Sequence, residues 1–250
     1  MSMIHKFKYI VLSTLLISLT NCNDTEDDGS PEFTPSEIAI KVMPLGASRV
    51  EGARPNFESY RYELWKLMIA ANWDIDLVGT MEEEASYPSF NGFGFDNDHE
   101  GRGGWTSGEI LSGISEWLNA VATPDIVLIS SPGGNDALTN LSYDQAVSNV
   151  NAIIDILQAA NPNITIVIEQ MASATSSIMT TELRAFMEQM NEEVTEIATE
   201  KSNVNSEVLT VDMSTGFQDN MLADDVHYNE EGAQFIAERY FEVLSEIIQN

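Results

Sequence analysis

Short apolar runs alternate with longer amphipathic segments along most of the chain. An apolar run bounded by proline or glycine is typical of a buried strand, whereas apolar positions spaced three or four apart indicate a helix. The predicted strands are 38–43, 75–78, 125–130, 164–169 and 207–212, and the predicted helices are 59–72, 107–120, 143–160, 180–201 and 230–248. This alternation predicts an α/β fold, a three-layer α/β/α sandwich with a central, mostly parallel five-stranded sheet.

Ser48 comes shortly after the first predicted strand, behind a Pro-Leu-Gly sequence at 44–46 that predicts a tight turn. In an open α/β sheet, ligands bind outside the carboxyl ends of the strands, so a serine at this point is a candidate nucleophile. The alternative is that Ser48 only caps the next helix, because serine is a common N-cap residue.

The beginning of the chain has the features of an export signal. Residues 1–8 are basic and 9–19 are apolar over a length typical of a signal peptide. Leu19-Thr-Asn-Cys22 resembles a bacterial lipobox, in which cleavage before the cysteine leaves that cysteine to carry lipid. We therefore expect a signal peptide at 1–21, a lipidated Cys22 with an acidic tether to 36, and a single domain at 37–250. The expected product is an exported, membrane-anchored bacterial lipoprotein, periplasmic or at the cell surface; the alternative is an ordinary signal peptide and simple secretion.

The charge of the chain narrows the range of partners. A net charge of −29 excludes nucleic acid as a partner, because binding phosphates needs a basic surface. One candidate cation site exists, in which His99 lies among Asp96, Asp98 and Glu100. One histidine among carboxylates is a poor zinc signature and a weak calcium one, so we predict no metal and no cofactor.

The histidines restrict where acid–base chemistry can occur. The chain has three, and His5 leaves with the predicted signal, so His99 and His227 are the only candidate bases. Asp224 lies three residues before His227, and on a turn its carboxylate can reach the imidazole. A nucleophilic serine needs such a base, and the base needs a group that fixes its tautomer. The alternative is a surface Asp/His pair in an acidic protein.

An oxyanion hole requires hydrogen-bond donors, and two loops offer them. Asn135 follows the predicted strand at 125–130, and Gly104 lies at the start of a predicted helix, where backbone N–H groups are free. Each is in isolation an ordinary turn residue. A nucleophile, a base with its acid, and two kinds of donor nevertheless fall in four different loops after strands.

These four blocks, in this order, resemble those of the SGNH, or GDSL-type, hydrolases. The matching segments are Pro44-Leu-Gly-Ala-Ser48, Gly104, Gly133-Gly-Asn135-Asp136 and Asp224-Asp-Val-His227. The resemblance implies the flavodoxin-like SGNH fold, a catalytic triad of Ser48, Asp224 and His227, and an oxyanion hole formed by the Ser48 and Gly104 backbone N–H groups and the Asn135 side chain. Two residues depart from the family pattern: Ala47 replaces the usual aspartate, and Arg49 replaces a small or apolar residue.

Further segments are similar to the acetylxylan-esterase branch of these carbohydrate esterases. They are Met43-Pro-Leu-Gly, Tyr60-Arg61, Leu77-Val-Gly79-Thr80, Asp98-His-Glu-Gly101 and Gly104-Trp105. The resemblance implies a serine esterase that removes O-acyl groups, acetyl above all, from a polysaccharide or oligosaccharide or a small ester. Arg49, His99 and Trp105 are candidate substrate contacts, and we expect Arg61 to pair with a loop carboxylate. The alternatives are a lipase or thioesterase that acts on longer acyl chains, and a non-catalytic carbohydrate-binding relative.

Overall fold

The structure is a computed structural model that describes residues 33–83 and 85–248. The predicted signal peptide, Cys22 and most of the predicted tether therefore lie outside the described residues. Two residues of the predicted tether contact the folded domain: the Phe33 ring packs edge-on against Phe93 at 5.5 Å, and Ser36 N–H donates to Asp74 at 3.0 Å. None of the helices in the described part of the chain is long and apolar enough to cross a membrane.

The sheet is parallel throughout its described strands, as the alternating pattern predicts. The strands are β1 (Ile40–Gly46), β2 (Ile75–Leu77), β3 (Glu100–Gly101), β4 (Ile126–Ile129), β5 (Thr165–Gln170) and β6 (Val208–Asp212). Their order is β2-β1-β4-β5-β6, and the two-residue β3 adds to β1 beyond the end of β2. The predicted fold class is confirmed; β3 is an addition to the five predicted strands, and it comes from the long loop that precedes the predicted helix at 107–120.

Helices cover both faces of the sheet. They are α1 (Ser48–Glu51), α2 (Arg61–Ala70), α3 (Ser107–Ala120), α4 (Gly134–Leu138), α5 (Tyr143–Ala160), α6 (Thr181–Lys201) and α7 (Glu230–Ile248), with a 3₁₀ turn at Asp219–Met221. One core lies between the sheet and α2 and α7, and includes Trp65 and Tyr240. The other lies between the sheet and α3, α5 and α6, and includes Ile153 and Met190. Alternate residues of each strand feed the two cores, which is why the strands read as continuous apolar runs.

The end of β1 differs from the prediction, and the difference bears on the site. The tight turn expected at 44–46 does not form, and β1 continues to Gly46. Proline removes a ladder hydrogen bond, so it is disfavoured in a central strand. On one side, β1 pairs first with β2, as far as Val42, and then with β3, from Leu45 onward. Pro44 lies in the gap between these two pairings and is accommodated there. Ser48 therefore lies two residues after the end of β1, at the carboxyl edge of the sheet.

Candidate active site

Ser48 is the first residue of the one-turn helix α1, and its hydroxyl does not cap that helix. Ala47 occupies the N-cap position without a side-chain cap. The backbone of α1 lies directly on Gly101 of β3, where a Cβ atom would stand 2.4 Å from Glu51 N. Only glycine permits this approach. The buried Arg61 binds the other end of α1, with Nε donating to the Val50 carbonyl at 2.7 Å and Nη2 to the Glu51 carbonyl at 2.9 Å.

Arg61 also forms the ion pair that the sequence predicts. Its Nη2 lies 2.9 Å from Glu83 Oε2, and both side chains are buried. The loop carboxylate therefore neutralises a guanidinium whose other N–H groups hold the helix of Ser48, as a buried charge requires.

Ser48, His227 and Asp224 form one hydrogen-bonded chain. The Ser48 Oγ lies 2.8 Å from His227 Nε2, and His227 Nδ1 lies 2.7 Å from Asp224 Oδ2, although Ser48 and His227 are 179 residues apart. A carboxylate only accepts hydrogen bonds, so Nδ1 carries the proton of the neutral ring. Nε2 is then free to accept the proton of the serine hydroxyl.

The loop around His227 orients both members of this pair. Asp224 Oδ1 accepts the backbone N–H groups of Val226 and His227 at 2.9 and 2.8 Å. Partial burial acts to raise the pKa of Asp224, but these hydrogen bonds and the imidazole outweigh it and the pKa is lowered. Phe57 stacks on the imidazole with ring centroids 3.8 Å apart and 11° between planes. The carboxylate therefore stays ionised, and the ring is held on one edge and one face.

Asn135 belongs to α4, which two contacts fix to the start of α3. Asn135 Nδ2 donates to the Trp105 carbonyl at 2.8 Å, and the next residue, the buried Asp136, accepts from the Ser107 N–H and hydroxyl, both at 2.8 Å. An amide nitrogen has two hydrogens, so Asn135 keeps one for a ligand. Asn135, Trp105 and Ser48 line the same pocket.

Gly104 lies at the rim of this region. It is exposed and adopts φ +77°, inside a turn closed by Trp105 N–H and the Arg102 carbonyl at 3.1 Å. That φ is the left-handed region that favours glycine. Gly104 does not line the pocket that holds Ser48 and Asn135. Four of the five predicted catalytic and oxyanion residues are thus brought together: Ser48 and Asn135 line the pocket, and His227 and Asp224 are joined to Ser48 by hydrogen bonds. The fifth, Gly104, is adjacent in sequence to Trp105, which lines the pocket.

The pocket beside Ser48 is mostly apolar. Its apolar lining comes from α3, α4, the loop after β5, and α6: Ile110, Leu138, Met171, Ala174, Leu183 and Met187. Trp105 lies two residues before α3 and packs against Trp117 with ring centroids 5.6 Å apart. This wall offers burial to an apolar group of a ligand that reaches Ser48.

Two of the three predicted substrate contacts have their polar atoms directed at protein partners. Arg49 lines the pocket, but its guanidinium is turned inward and donates to backbone carbonyls of neighbouring loops. His99 is 1% exposed, does not line the pocket, and accepts the Gly101 N–H at its Nδ1. Burial, with the nearby Arg61 and Arg102, lowers the pKa of His99 to about 2, so the ring is neutral. Both side chains support the fold around the site.

The cation site considered around His99 does not assemble. Asp96 Oδ2 accepts the Leu77 N–H at 2.8 Å, and Glu100 is held by Thr80 and Arg102. Across residues 33–83 and 85–248, no group of three His, Cys, Asp or Glu side chains is arranged to hold a metal ion.

Glu169 is a buried residue near the site that the sequence analysis did not single out. Its carboxylate accepts the Ser131 N–H at 2.7 Å and the Tyr240 hydroxyl at 2.8 Å. Burial raises the pKa of Glu169, although these hydrogen bonds and the nearby Arg49 oppose the rise. A single carboxylate at the end of the apolar run 164–168 was the available signal. Glu169 fixes Ser131, which begins the loop that leads to Asn135.

Comparison with known proteins agrees with this arrangement. Residues 71–235, about two-thirds of the chain, match the sequence pattern of the GDSL-like Lipase/Acylhydrolase family. The chain belongs to this family. The match includes Gly104, Asn135, Asp224 and His227 and begins after Ser48, so Ser48 is assigned by its contact with His227. The prediction of an SGNH-type carboxylic ester hydrolase is confirmed at the level of the family.

Two solved structures are similar over nearly their whole length. A family 3 carbohydrate esterase from Clostridium thermocellum is 30% identical, with a TM-score of 0.68, over 84% of this chain and 98% of that chain. An acetyl esterase mutant with acetate ion is 29% identical, with a TM-score of 0.72 and the same coverage. A multidomain esterase from Ruminococcus flavefaciens is 25% identical over 148 residues, which are 54% of this chain and 19% of that protein. The chain thus spans about a fifth of the length of this curated relative.

Proposed function

We propose that the protein is a serine esterase that hydrolyses O-acyl esters through an acyl-enzyme formed on Ser48. The observation that carries the proposal is the hydrogen-bonded chain from Ser48 Oγ to His227 and from His227 to Asp224, at 2.8 and 2.7 Å. As Oγ attacks the ester carbonyl carbon, His227 Nε2 takes the hydroxyl proton and the carbonyl electron pair moves to oxygen. Collapse of this intermediate expels the alcohol, which takes the proton from His227.

The second half of the reaction uses the same groups in reverse. A water molecule gives a proton to His227 and attacks the acyl carbon, and the acid leaves as Ser48 regains its proton. Asp224 keeps the Nδ1 proton in place and stabilises the imidazolium at each step. We assign the oxyanion to the backbone N–H groups of Ser48 and Gly104 and to the second amide hydrogen of Asn135. The hydrogen-bonded chain of Ser48, His227 and Asp224 also argues against a non-catalytic carbohydrate-binding relative, because a protein that only binds carbohydrate needs no base aligned with a serine.

The proposed substrate is an acetyl ester on a polysaccharide or oligosaccharide. The similarity to a family 3 carbohydrate esterase and to an acetyl esterase, each of which the chain covers by 98%, supports this class. Trp105 lies at the pocket beside Asn135, where its ring can present an apolar face to a sugar.

A longer acyl group is the second candidate, and the pocket wall favours it. Ile110, Leu138, Leu183 and Met187 provide more apolar lining than a single methyl group can contact. Burial of each additional CH₂ is worth about 0.8 kcal/mol, so a chain that fits this wall gains affinity with length.

Release of acid from a panel of esters tests both candidates. The panel contains acetylated glycans, aryl esters from acetate to octanoate, and acyl thioesters. Acetate release from glycans, absent in Ser48→Ala, supports the first candidate, and a maximum at longer aryl esters supports the second. Activity that persists in a folded Ser48→Ala variant would contradict the mechanism for either substrate.

We also propose that Cys22 carries lipid and anchors the protein to a membrane of a bacterial cell, on the strength of the lipobox-like sequence alone. Labelling of cells with a radioactive or alkyne fatty acid tests this proposal. Wild type should incorporate label and Cys22→Ala should not; unlabelled wild type would mean simple secretion.

A further inference from the structure

Arg49, the residue after Ser48, is 8% exposed, and its guanidinium points into the protein. Burying a guanidinium is costly unless its N–H groups find acceptors. Four hydrogen bonds supply them. Nε donates to the Val226 carbonyl at 2.8 Å, Nη1 to the Ala172 carbonyl at 2.8 Å and to Ser131 Oγ at 3.3 Å, and Nη2 to the Ser173 carbonyl at 3.1 Å.

These acceptors lie on the loops that complete the site. Val226 immediately precedes His227, and the Arg49 Cζ lies 4.8 Å from the ring centre of Tyr228, which immediately follows it. Arg49 therefore contacts both chain neighbours of His227. Ser131 begins the loop that leads to Asn135.

Arg49 also links the turn of Ser48 to other loops. Position 47, where the GDSL pattern has an aspartate, is Ala47, which has no polar atoms in its side chain. Besides the Ser48 hydroxyl, which bonds to His227, Arg49 supplies the side-chain hydrogen bonds from this turn to other loops. A planar guanidinium with donors in fixed directions suits this task, since it sets the relative position of several acceptors at once.

We propose that Arg49 is a positioning residue, which holds the loop of His227 so that Nε2 stays within hydrogen-bonding distance of Ser48 Oγ. This proposal rests on the proposed function. Proton transfer depends steeply on the separation of these two atoms, and a misplacement of about 1 Å can cost roughly 100-fold in rate. Loss of Arg49 should therefore lower kcat and leave KM for a small ester almost unchanged, because the guanidinium N–H groups are directed at protein carbonyls.

Arg239 provides a matched control in the same chain. Arg239 also donates to two backbone carbonyls, those of Asp212 and Thr215, and its Cζ lies 4.6 Å from the ring centre of Phe235. Unlike Arg49, it belongs to α7 and has none of these contacts with the loops of Ser48, Asn135 or His227. Arg49→Met and Arg239→Met each remove one such clamp. If Arg49 only stabilises the fold, the two variants should lose stability without a selective loss of kcat.

The experiment measures two properties of the folded variants: kcat and KM for hydrolysis of an aryl acetate, and the rate of labelling by an organophosphate. We expect Arg49→Met to lose roughly 100-fold in kcat and in labelling rate, with Arg239→Met close to wild type. Free guanidinium ion should restore part of the rate of Arg49→Ala, and an equal concentration of potassium should not. If the Met variant does not fold, Arg49→Lys, which keeps the charge but not the fork of donors, is compared in the same way.

Unchanged kcat in folded Arg49 variants, or an equal loss in Arg239→Met, would overturn the proposal. A rise in KM at constant kcat would also overturn it and make Arg49 a substrate contact. A wild-type protein that neither hydrolyses the ester nor labels would refute the proposed function itself, and this role with it.

Discussion

The replacement Asp224→Asn tests whether the carboxylate sets the state of His227. Asparagine can keep the two backbone hydrogen bonds that Asp224 Oδ1 accepts from Val226 and His227, at 2.9 and 2.8 Å, through its own carbonyl oxygen. Its NH₂ group then faces His227 Nδ1, where Asp224 Oδ2 stands at 2.7 Å. The ring responds by placing its proton on Nε2, and Nε2 is then unable to accept the proton of Ser48.

The expected loss follows from this change of tautomer. A buried triad aspartate changed to asparagine lowers kcat by about 10⁴-fold. Since the Asp224 side chain is 52% exposed, water can compensate in part. We therefore expect a loss of roughly 10³-fold, or about 4 kcal/mol of transition-state stabilisation, with little change in thermal stability.

Asp225→Asn is the matched control for this prediction. The Asp225 carboxylate accepts from the Thr175 and Ser177 hydroxyls at 3.0 and 3.2 Å. Initial rates with an aryl acetate should fall for Asp224→Asn and stay close to wild type for Asp225→Asn. Equal losses in the two variants, or a nearly active Asp224→Asn, would refute the role given to Asp224.

Two further predictions concern the oxyanion donor and a buried carboxyl. Asn135→Ala should lower kcat by about 10²- to 10³-fold at nearly constant KM in the same assay, because it removes a donor to the developing charge; an unchanged kcat would remove Asn135 from the site. Burial, helped by the negative charges of Asp98 and Asp76 and opposed by hydrogen bonds from backbone N–H groups, raises the pKa of Asp96 to about 7. The folded state thus binds this proton more tightly than the unfolded state, so the resulting stability is full below about pH 4 and is lost as the pH rises through about 7. The free energy of unfolding in urea should fall between pH 5 and pH 8 by less in Asp96→Asn than in wild type, and the two falls should differ by at most about 3 kcal/mol. An identical fall in the two proteins would contradict the raised pKa.

The alternating pattern was enough to predict the layers of the fold, because both faces of each strand are buried and each long helix has one apolar face. The error at β1 shows the limit of that reading. Pro44 looks like a turn when only its neighbours in sequence are considered. The structure accommodates it because of a gap between β2 and β3, and that gap depends on the register of two distant segments.

Residues of the site differ in how far sequence reveals them. His227 stands out because the chain has only three histidines, Asp224 because it lies three residues before His227, and Ser48 because it follows the first strand closely. The stacking of Phe57 on His227 and the inward course of Arg49 have no such signal, because their partners lie up to 177 residues away. An arginine after a nucleophile suggests a substrate contact until its acceptors are known to be buried carbonyls.

Organophosphate labelling of the whole protein, followed by peptide mass spectrometry, tests directly whether Ser48 is a nucleophile activated by His227. We predict one phosphonylated residue, Ser48, with labelling lost in Ser48→Ala and strongly slowed in His227→Ala. Labelling of another serine, or labelling of Ser48 at the same rate in wild type and His227→Ala, would contradict it.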